Sequence, residues 1–497
     1  MITTNVGVLN HPEYNKAFKK WQVVRDCVND EVKQKACKNA AITCDSIARS
    51  QHGYIIRDPN ISDEAYHMFA GRAVFKNYTG NTLAILTGAA TMRPYTLSGE
   101  TVDDEPSELP ESIAYIESSF TRSGLSYQDS MKARLRELAS VGRAGVWVDF
   151  PSSAKGMSSG DIKKLGLMST AQSFKAEQIT DWSEKIINGR KQLNYVKLNE
   201  CYDQVVQNGS DFTRETYEVC YELFLDEEGY YSVKRDDGTT EEIYSPTLGN
   251  GQRLTWIPFQ FYGSVDNTPS IDPTPLFKIS EINIALFNLD ATFRQSMWLF
   301  GAPTATFSLN QDVSADEFMK LNGLKNGESP AFGGTAYVGC EINLAQINVD
   351  SMLITAMDKD VETMAQIGAQ IITVGQNETA EAARIRKSAG LASLYDVVEN
   401  LEEGDTNVIK WMMMFNNQSG QPDEFILQLN RKFLDDGISP QMLQQLISMN
   451  MMGKYPDEYL FKVMKDNNLA LAGDNSIDYK ERLGDGVDNR SINPDKE

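Results

Sequence analysis

Three closely spaced cations, Arg384, Arg386 and Lys387, are the residues whose types best suit chemistry with a ligand. Guanidinium and ammonium groups bind phosphate through charge-assisted hydrogen bonds. The cations closely follow a short segment that interrupts a helical pattern, made of Val374, Gly375, Gln376, Asn377 and Glu378. One interpretation is therefore phosphate contact. The other is a solvated helix face whose cations pair with Glu378 or Glu381, a contribution of only about 0.3–0.5 kcal/mol.

The other reactive residue types form no catalytic or metal-binding pattern. The six cysteines contain no Cys-x-x-Cys, and His11, His52 and His67 lack the spacing of metal ligands. The chain has no phosphate-binding Gly-x-x-x-x-Gly-Lys-Ser/Thr, no His-Glu-x-x-His, no Gly-x-Ser-x-Gly and no Gly-x-Gly-x-x-Gly after a strand. We therefore predict no catalytic residue, no metal site, no cofactor and no enzymatic activity.

The charge balance of the chain favours some partners over others. The formal net charge is −22, whereas proteins that grip nucleic acid present a basic surface. Tight, sequence-specific DNA binding is therefore unexpected. An acidic wall would repel phosphate and let DNA pass without sticking, as a conduit requires. The alternative is that the acidity only keeps a large assembly soluble.

Length and hydropathy predict a multidomain cytosolic product. A chain of 497 residues is too long for one ordinary core. No stretch reaches the roughly 18 apolar residues that cross a bilayer. The first 14 residues are polar and do not resemble a signal peptide.

Two predicted helices with narrow apolar stripes precede the three cations in the sequence, and their packing would position the cations. The helices cover residues 274–299 and 350–371. Spacings of three and four residues typify helices that pack on other helices. The stripe residues are Ile282, Leu286, Leu289 and Phe293 on the first helix, and Leu353, Met357, Val361 and Met364 on the second. Between the helices we predict a strand at Thr304–Leu309, a helix at residues 314–322 and a second strand within residues 331–340.

The remaining segments predict an α+β fold. Helical patterns cover residues 12–50, 66–90 and 126–141, and period-two patterns typical of strands dominate residues 193–263. A long helix is expected from residue 379. After it come a strand at residues 424–433, helices at residues 439–452 and 456–469, and a polar tail at residues 473–497.

Several local phrases, in this order along the chain, resemble the portal proteins of tailed bacteriophages. They are Arg72-Ala-Val-Phe-Lys-Asn-Tyr-Thr79, Gly142-Arg-Ala-Gly-Val-Trp-Val-Asp-Phe-Pro151, Pro275-Leu-Phe-Lys-Ile-Ser-Glu-Ile-Asn283, Gly301-Ala-Pro303, Met364-Ala-Gln-Ile-Gly-Ala369 and Glu378-Thr-Ala380. The resemblance covers residues 10–470 approximately, and it lies in the order of the phrases because no single phrase is specific.

The resemblance implies a portal fold with a defined division of the chain. The segments are a wing (1–273), two stem helices (274–299 and 350–371), a clip (300–349), a tunnel loop (372–378), a long wing helix (379–420), a crown (421–472) and the polar tail (473–497). The tunnel loop contains Val374 to Glu378, and the three cations following it would face DNA. The eight stripe residues would pack the stem.

The same resemblance implies a role in the virion. Portal subunits form a dodecamer, a ring of about twelve copies, at one capsid vertex. The ring docks the terminase motor, contacts the major capsid protein, passes double-stranded DNA during packaging and ejection, and later holds the head-to-tail connector proteins. The chain would be made in the host cytoplasm, with no membrane partner. The alternatives are another virion structural protein, such as a capsid or tail-tube subunit, and a cytosolic hydrolase acting through carboxylates.

Overall fold

The computed structural model describes two compact units, residues 1–431 and residues 432–497, which are considered separately. The described residues are 10–35, 53–58, 60–99, 101–102, 105–151, 167–187, 189–208, 211–300, 304–310, 312–324, 338–345, 351–368, 380–431, 433, 440–452 and 456–466. Both helices and sheets are present, and the predicted α+β class is therefore confirmed.

The helices differ greatly in length. In residues 1–431 they are α1 (Pro12–Val28), α2 (Asp63–Arg72), α3 (Tyr78–Ala90), α4 (Tyr127–Val141), α5 (Phe277–Phe300), α6 (Ala315–Leu321), α7 (Ser351–Gly368) and α8 (Ala380–Asn416); in residues 432–497 they are α9 (Pro440–Met451) and α10 (Asp457–Asp466). Within the described ranges, no helix combines the length and apolar character needed to span a bilayer.

The strands all lie in the first unit among the residues described. They are β1 (Thr96–Gly99), β2 (Thr101–Val102), β3 (Glu105–Pro106), β4 (Arg143–Asp149), β5 (Thr170–Lys175), β6 (Ile179–Ile187), β7 (Arg190–Asn208), β8 (Asp211–Leu225), β9 (Tyr231–Asp236), β10 (Glu241–Tyr244), β11 (Phe259–Gly263), β12 (Thr304–Leu309), β13 (Cys340–Ala345) and β14 (Phe425–Gln428). Every pairing is antiparallel. The sheets have the orders β10-β9-β8-β7-β6, β11-β4-β5, β12-β13, β1-β14 and β2-β3.

The junction between α4 and β4 shows how local sequence sets up the three-stranded sheet β11-β4-β5, which we call the central sheet. The Ser126 hydroxyl caps α4 by accepting a hydrogen bond from the Asp129 backbone N–H at 3.1 Å. The helix ends at Gly142, whose positive φ of 78° favours glycine. A side chain there would also approach Pro275 and Ser264 to about 3 Å. All of β4 is buried, between β5 and β11 in its own sheet and in contact with α4 and α8.

Besides the central sheet, a hydrophobic core that we call the second core joins residues near the start of the chain to α5. Burying its apolar side chains removes them from water, which is the main favourable contribution to folding. Its buried members come from α1, α2, α5 and the segments between them: Val23, Cys27, Val32, Tyr54, Ile55, Tyr66, Ala70, Ala73, Ile284, Phe287 and Ala291. None of the buried residues in this core comes from the long helix α8.

A buried carboxylate, Asp405, fixes α8 against the central sheet. One oxygen accepts hydrogen bonds from Arg134 of α4 at 2.7 Å and from Tyr127 at 2.9 Å, and the other accepts from Tyr262 of β11 at 2.7 Å. Arg134 and Asp405 are 1% and 0% exposed. Burial raises the pKa of both tyrosines well above its ordinary value, which keeps their hydroxyls protonated as donors.

Arg143, at the start of β4, is buried and forms no ion pair with a carboxylate of the residues that the structure describes. Its guanidinium stacks over the rings of Trp182 and Phe261, at 4.3 and 4.7 Å from their centroids. It donates hydrogen bonds to the carbonyl oxygens of Pro269 (2.9 Å) and Ser270 (3.2 Å). Burial lowers its pKa to about 9, so the group remains charged at neutral pH.

Several predicted elements differ from the structure. The helix predicted for residues 12–50 ends at Val28, because Asp30 takes a positive φ of 62° that a helix does not allow; residues 36–50 lie outside the described residues. The second strand between the stripe helices is β13, which begins only at Cys340, and residues 331–337 of the predicted strand also lie outside the described part. The strand predicted for residues 424–433 is shorter and pairs with β1, which was not predicted.

The Asp405 cluster generates a stability prediction. Asp405→Ala leaves the Arg134 charge buried and unpaired, so the free energy of unfolding of the first unit should fall by about 3–5 kcal/mol. Replacing both charges, in Arg134→Met/Asp405→Leu, should restore most of it because no lone buried charge remains. Urea denaturation followed by tryptophan fluorescence measures both effects.

The matched control removes a carboxylate from an exposed ion pair. Glu241 lies 3.2 Å from Lys234 and is 56% exposed, so Glu241→Ala should cost less than about 1 kcal/mol. Equal losses for Asp405→Ala and Glu241→Ala would contradict a structural role for the buried cluster.

Candidate functional site

The candidate functional site is the helical module, which we define as residues 277–368 with α5, β12, α6, β13 and α7. Helices α5 and α7 contact each other, and the hairpin β12-β13 lies between them in sequence. Thr304 to Leu309 pair with Ala345 to Cys340 in an unbroken antiparallel register. The module is followed by residues 369–379, which lie outside the described residues, and then by α8.

Polar side chains hold the first half of α5 inside the fold. Asn283 is 1% exposed; its amide oxygen accepts hydrogen bonds from the backbone and hydroxyl of Thr79 at 3.1 and 3.2 Å, and its amide donates to the Lys76 carbonyl at 2.8 Å. Asp290, 3% exposed, accepts from the Val74 backbone at 2.8 Å. Three of these four bonds satisfy backbone groups of the 74–79 segment and the fourth satisfies the Thr79 hydroxyl, so the root of α5 is fixed in position.

The polar positions that Asn283 and Asp290 form on α5 were not predicted, although their spacing in the sequence indicates them. Asn283 and Asp290 are seven residues apart, which places them on the same side of a helix. They alternate with apolar Phe287 and Ala291, both buried in the second core. Asn288 extends the pattern, because its side chain accepts from the Ile56 backbone at 2.9 Å and donates to the Tyr54 carbonyl at 2.9 Å.

The predicted apolar stripes of α5 and α7 occupy positions other than those of Asn283, Asn288 and Asp290. On α5, Leu286 is 3% exposed, and on α7, Met364 is 3% exposed. The other six stripe residues are partly buried: Ile282, Leu289, Phe293, Leu353, Met357 and Val361. The stripes are therefore only partly covered within a single chain, and their assignment to contacts between subunits stays a prediction.

Large apolar side chains are exposed on the same two helices. Met297 is 48% exposed and Trp298 is 59% exposed near the end of α5, while Ile354 and Ile367 of α7 are 45% and 47% exposed. The Arg72 guanidinium lies 4.0 Å from the Trp298 ring centroid and covers one face of the indole. Exposed apolar groups on two contacting helices are typical of a surface that binds another protein, although other exposed apolar side chains are spread over the rest of the described chain.

A short helix, α6, lies in the connection between β12 and β13. The Ser314 hydroxyl caps α6 by accepting from the Glu317 backbone at 3.3 Å, and Phe318 is buried beneath the helix. The Asn322 side chain joins α6 to the approach of β13: it accepts from the Val338 backbone N–H at 2.9 Å and donates to the Val338 carbonyl at 3.1 Å. The tip of the module is thus a small folded element.

The predicted channel residues are the least described part of the site. Val374, Gly375, Gln376, Asn377 and Glu378 lie outside the described residues. Arg384, Arg386 and Lys387 belong to the first turns of α8, but their side chains are outside the described part. Their contact with phosphate therefore stays a prediction from sequence.

The geometry of the described residues offers no obvious catalytic chemistry. Within the described ranges, no group of three or more His, Cys, Asp or Glu side chains is placed to hold a metal ion. Burial raises the pKa of Asp360 on α7, but no buried base or nucleophile is described beside it. The prediction that the chain is not an enzyme is left as a prediction.

Comparison with known proteins adds a family match for the module. A domain of unknown function, DUF4055, matches residues 275–416, which run from the start of α5 to the end of α8. The matched region is thus the helical module, the segment after it and the long helix. No curated protein sequence matches the chain.

Two solved structures share a distant likeness with the chain. One is described as the virion of a native gene transfer agent particle, with a TM-score of 0.39 and 7% identity, covering 81% of this chain and 94% of that chain. The other is described as the neck of an empty gene transfer agent particle, with a TM-score of 0.41 and 8% identity over the same shares of the two chains. We draw no functional conclusion from likenesses at this level.

Leu286 provides a test of packing in the module. Leu286→Ala should lower the free energy of unfolding by about 2–5 kcal/mol, because it leaves a cavity beside a nearly fully buried side chain. Leu286→Asp should prevent folding of the module and all assembly that depends on it, because a carboxylate would be buried unpaired. Denaturant midpoints and sedimentation velocity give the two readouts.

The exposed Met297, on the same helix, is the control. Met297→Ala should change the free energy of unfolding by no more than about 0.5 kcal/mol. If Leu286→Asp folds and assembles like the parent, the packing described for α5 is incorrect.

Proposed function

We propose that the chain is the subunit of a portal ring, the channel through which a tailed phage or phage-like particle packages and ejects its DNA. The observation that carries this proposal is the order of elements from α5 to α8: a helix held firmly at one end, a small hairpin with a capping helix, a second helix packed on the first, and a long helix. The resemblance of the local phrases to portal proteins, in the same order, supports it.

The helical module supplies the means of assembly. Its root is fixed by Asn283 and Asp290, whereas its stripes are half-covered and its exposed apolar groups lie on α5 and α7. A surface that differs from the surface it binds makes head-to-tail contacts, which close into a ring when the rotation between copies allows it. The module would therefore form the stem, with the hairpin and α6 as the clip.

The charge of the assembly suits a passage for DNA. Each copy carries a net charge of −22. The channel wall would therefore repel phosphate, so that passing DNA would not adhere to it. Arg384, Arg386 and Lys387 would add a thin basic band behind the 372–378 loop. Such a band holds packaged DNA against back-slip through weak, salt-dependent contacts without sequence specificity.

The remaining partners follow from the proposed position at one capsid vertex. The ring would bind the terminase motor, the connector proteins of the tail and the major capsid protein, after synthesis in the host cytoplasm. The chain itself would need no cofactor and would hydrolyse no nucleotide, because the motor supplies the energy.

The proposed function predicts a ring with an axial hole. Mass photometry of the purified chain should show a species of about twelve subunits or a neighbouring ring number, and negative-stain images should show the hole. The subunit mass for the calculation is 55.5 kDa. A protein that stays monomeric at micromolar concentration and forms no ring in particles would exclude a portal; a monomer with a closed cleft would favour an enzyme instead.

The basic band generates a second, independent prediction. Arg384→Gln/Lys387→Gln should assemble normally but retain less DNA in filled heads, and the difference from the parent should shrink as salt is raised, because salt screens the contacts that the parent makes. Lys185→Gln/Lys191→Gln, which removes two cations near the exposed β6-β7 turn, is the matched control and should retain DNA like the parent. Full-length genomes in heads built from Arg384→Gln/Lys387→Gln would show that the cations pair only with neighbouring carboxylates.

A further inference from the structure

The hairpin β7-β8 continues well beyond the sheet that contains it. Strand β6 pairs with β7 only as far as Leu198, and β9 pairs with β8 only from Cys220. Beyond these points nine residue pairs, from Glu200 opposite Val219 to Asn208 opposite Asp211, pair only with each other. We call these residues, 200–208 and 211–219, the ribbon. At about 3.3 Å per residue it projects roughly 30 Å.

The ribbon has the character of an element that is completed by a partner. A two-stranded hairpin without further packing is marginally stable in water. Three of its large side chains are nevertheless exposed: Tyr202 (41%), Val205 (55%) and Phe212 (70%). By the strand register, Tyr202 lies on one face of the ribbon and Val205 and Phe212 lie on the other. An exposed aromatic group on a projecting element indicates a contact surface.

The two faces of the ribbon carry different charge. By the strand register, Glu200, Tyr202, Glu215 and Tyr217 share one face, which we call the acidic face. Tyr202 and Tyr217 stack with centroids 5.7 Å apart, and the Tyr217 hydroxyl donates to Glu215 at 2.9 Å. The ribbon's one cation in sequence, Arg214, lies on the opposite face, 3.9 Å from Asp203.

A complementary surface exists on α1 of the same chain. Lys16, Lys19 and Lys20 follow a spacing of three and four residues and therefore form one stripe of the helix. All three are exposed. None of them forms an ion pair with a residue that the structure describes, although Lys20 lies 5.6 Å from the Phe277 ring centroid. In a chain of net charge −22, an unneutralised lysine stripe is unusual.

We propose that the acidic face of the ribbon binds the lysine stripe of α1 on the neighbouring copy of the chain. This inference rests on the ring assembly proposed above. The ammonium groups would pair with Glu200 and Glu215, and the lysine stems would lie across the Tyr202–Tyr217 stack, which attracts cations to its ring faces.

The partner surface is assigned to another copy of the chain. The His11 backbone, next to α1, donates to the Thr180 carbonyl at 2.9 Å, which places the start of α1 near the root of the ribbon. Within one chain Lys16, Lys19 and Lys20 are exposed, as are Tyr202 and Glu215 of the acidic face, whereas Glu200 and Tyr217 are partly buried. No ion pair joins the two surfaces among the described residues. A contact between two different surfaces is head-to-tail, the kind that builds a ring. It would also offset the repulsion between strongly acidic subunits.

A charge swap tests the contact. Lys16→Glu/Lys19→Glu and Glu200→Lys/Glu215→Lys should each raise the concentration needed for ring assembly by about tenfold or more, measured by mass photometry at low salt. The combination of all four substitutions restores both the complementarity and the net charge, and should assemble near the parent concentration. Circular dichroism checks that each variant is folded.

The opposite face of the ribbon is the matched control. Asp203→Lys/Glu218→Lys makes the same change in net charge on the same strands, and should assemble like the parent. The inference is overturned if this control fails as badly as Glu200→Lys/Glu215→Lys, if either test variant assembles normally, or if the combination is not rescued. A parent that forms rings while the swaps have no effect contradicts only the ribbon contact, whereas a parent without rings contradicts the proposed function as well.

Discussion

One buried ion pair holds the long helix α8 in place. Asp405 accepts hydrogen bonds from Arg134, Tyr127 and Tyr262, so α4, β11 and α8 meet at a single carboxylate. Leaving any of these groups unpaired away from water is costly. The carboxylate therefore joins the central sheet and α4 to the 37-residue helix α8. In the proposed portal, this rigid base carries the loop and the basic residues that precede it.

The helical module, in contrast, is firmly held at one end and incompletely covered at the other. Its root is rigid, because Asn283, Asn288 and Asp290 satisfy backbone groups of two distant segments. Its far part is incompletely covered, because the stripes of α5 and α7 are half-buried and Trp298 and Ile354 are exposed. A firmly rooted element with an unfinished apolar surface is what a subunit of a ring requires. In the single chain the root of the module is thus well covered, whereas the surfaces that we propose for assembly are only partly covered.

The sequence predicted the elements better than it predicted their packing. The stripe helices and the α+β class were predicted correctly because hydrophobic periodicity is a local signal. The buried charges were not: Arg134 and Arg143 look like ordinary surface cations until a distant Asp405 or Trp182 covers them. The length of the β7-β8 ribbon was also missed, since its polar alternation does not show where flanking strands stop. The candidate channel residues at 374–378 remain known from sequence alone.

The most direct test of the central claim is a cryo-electron microscopy map of the assembled protein at side-chain resolution. The portal proposal predicts a cyclic ring in which residues 277–368 of neighbouring copies pack side by side around an axial channel. It also predicts that residues 372–378 face that axis. A closed oligomer without an axial channel, or a ring with the helical module on its outer edge and away from the axis, would contradict it.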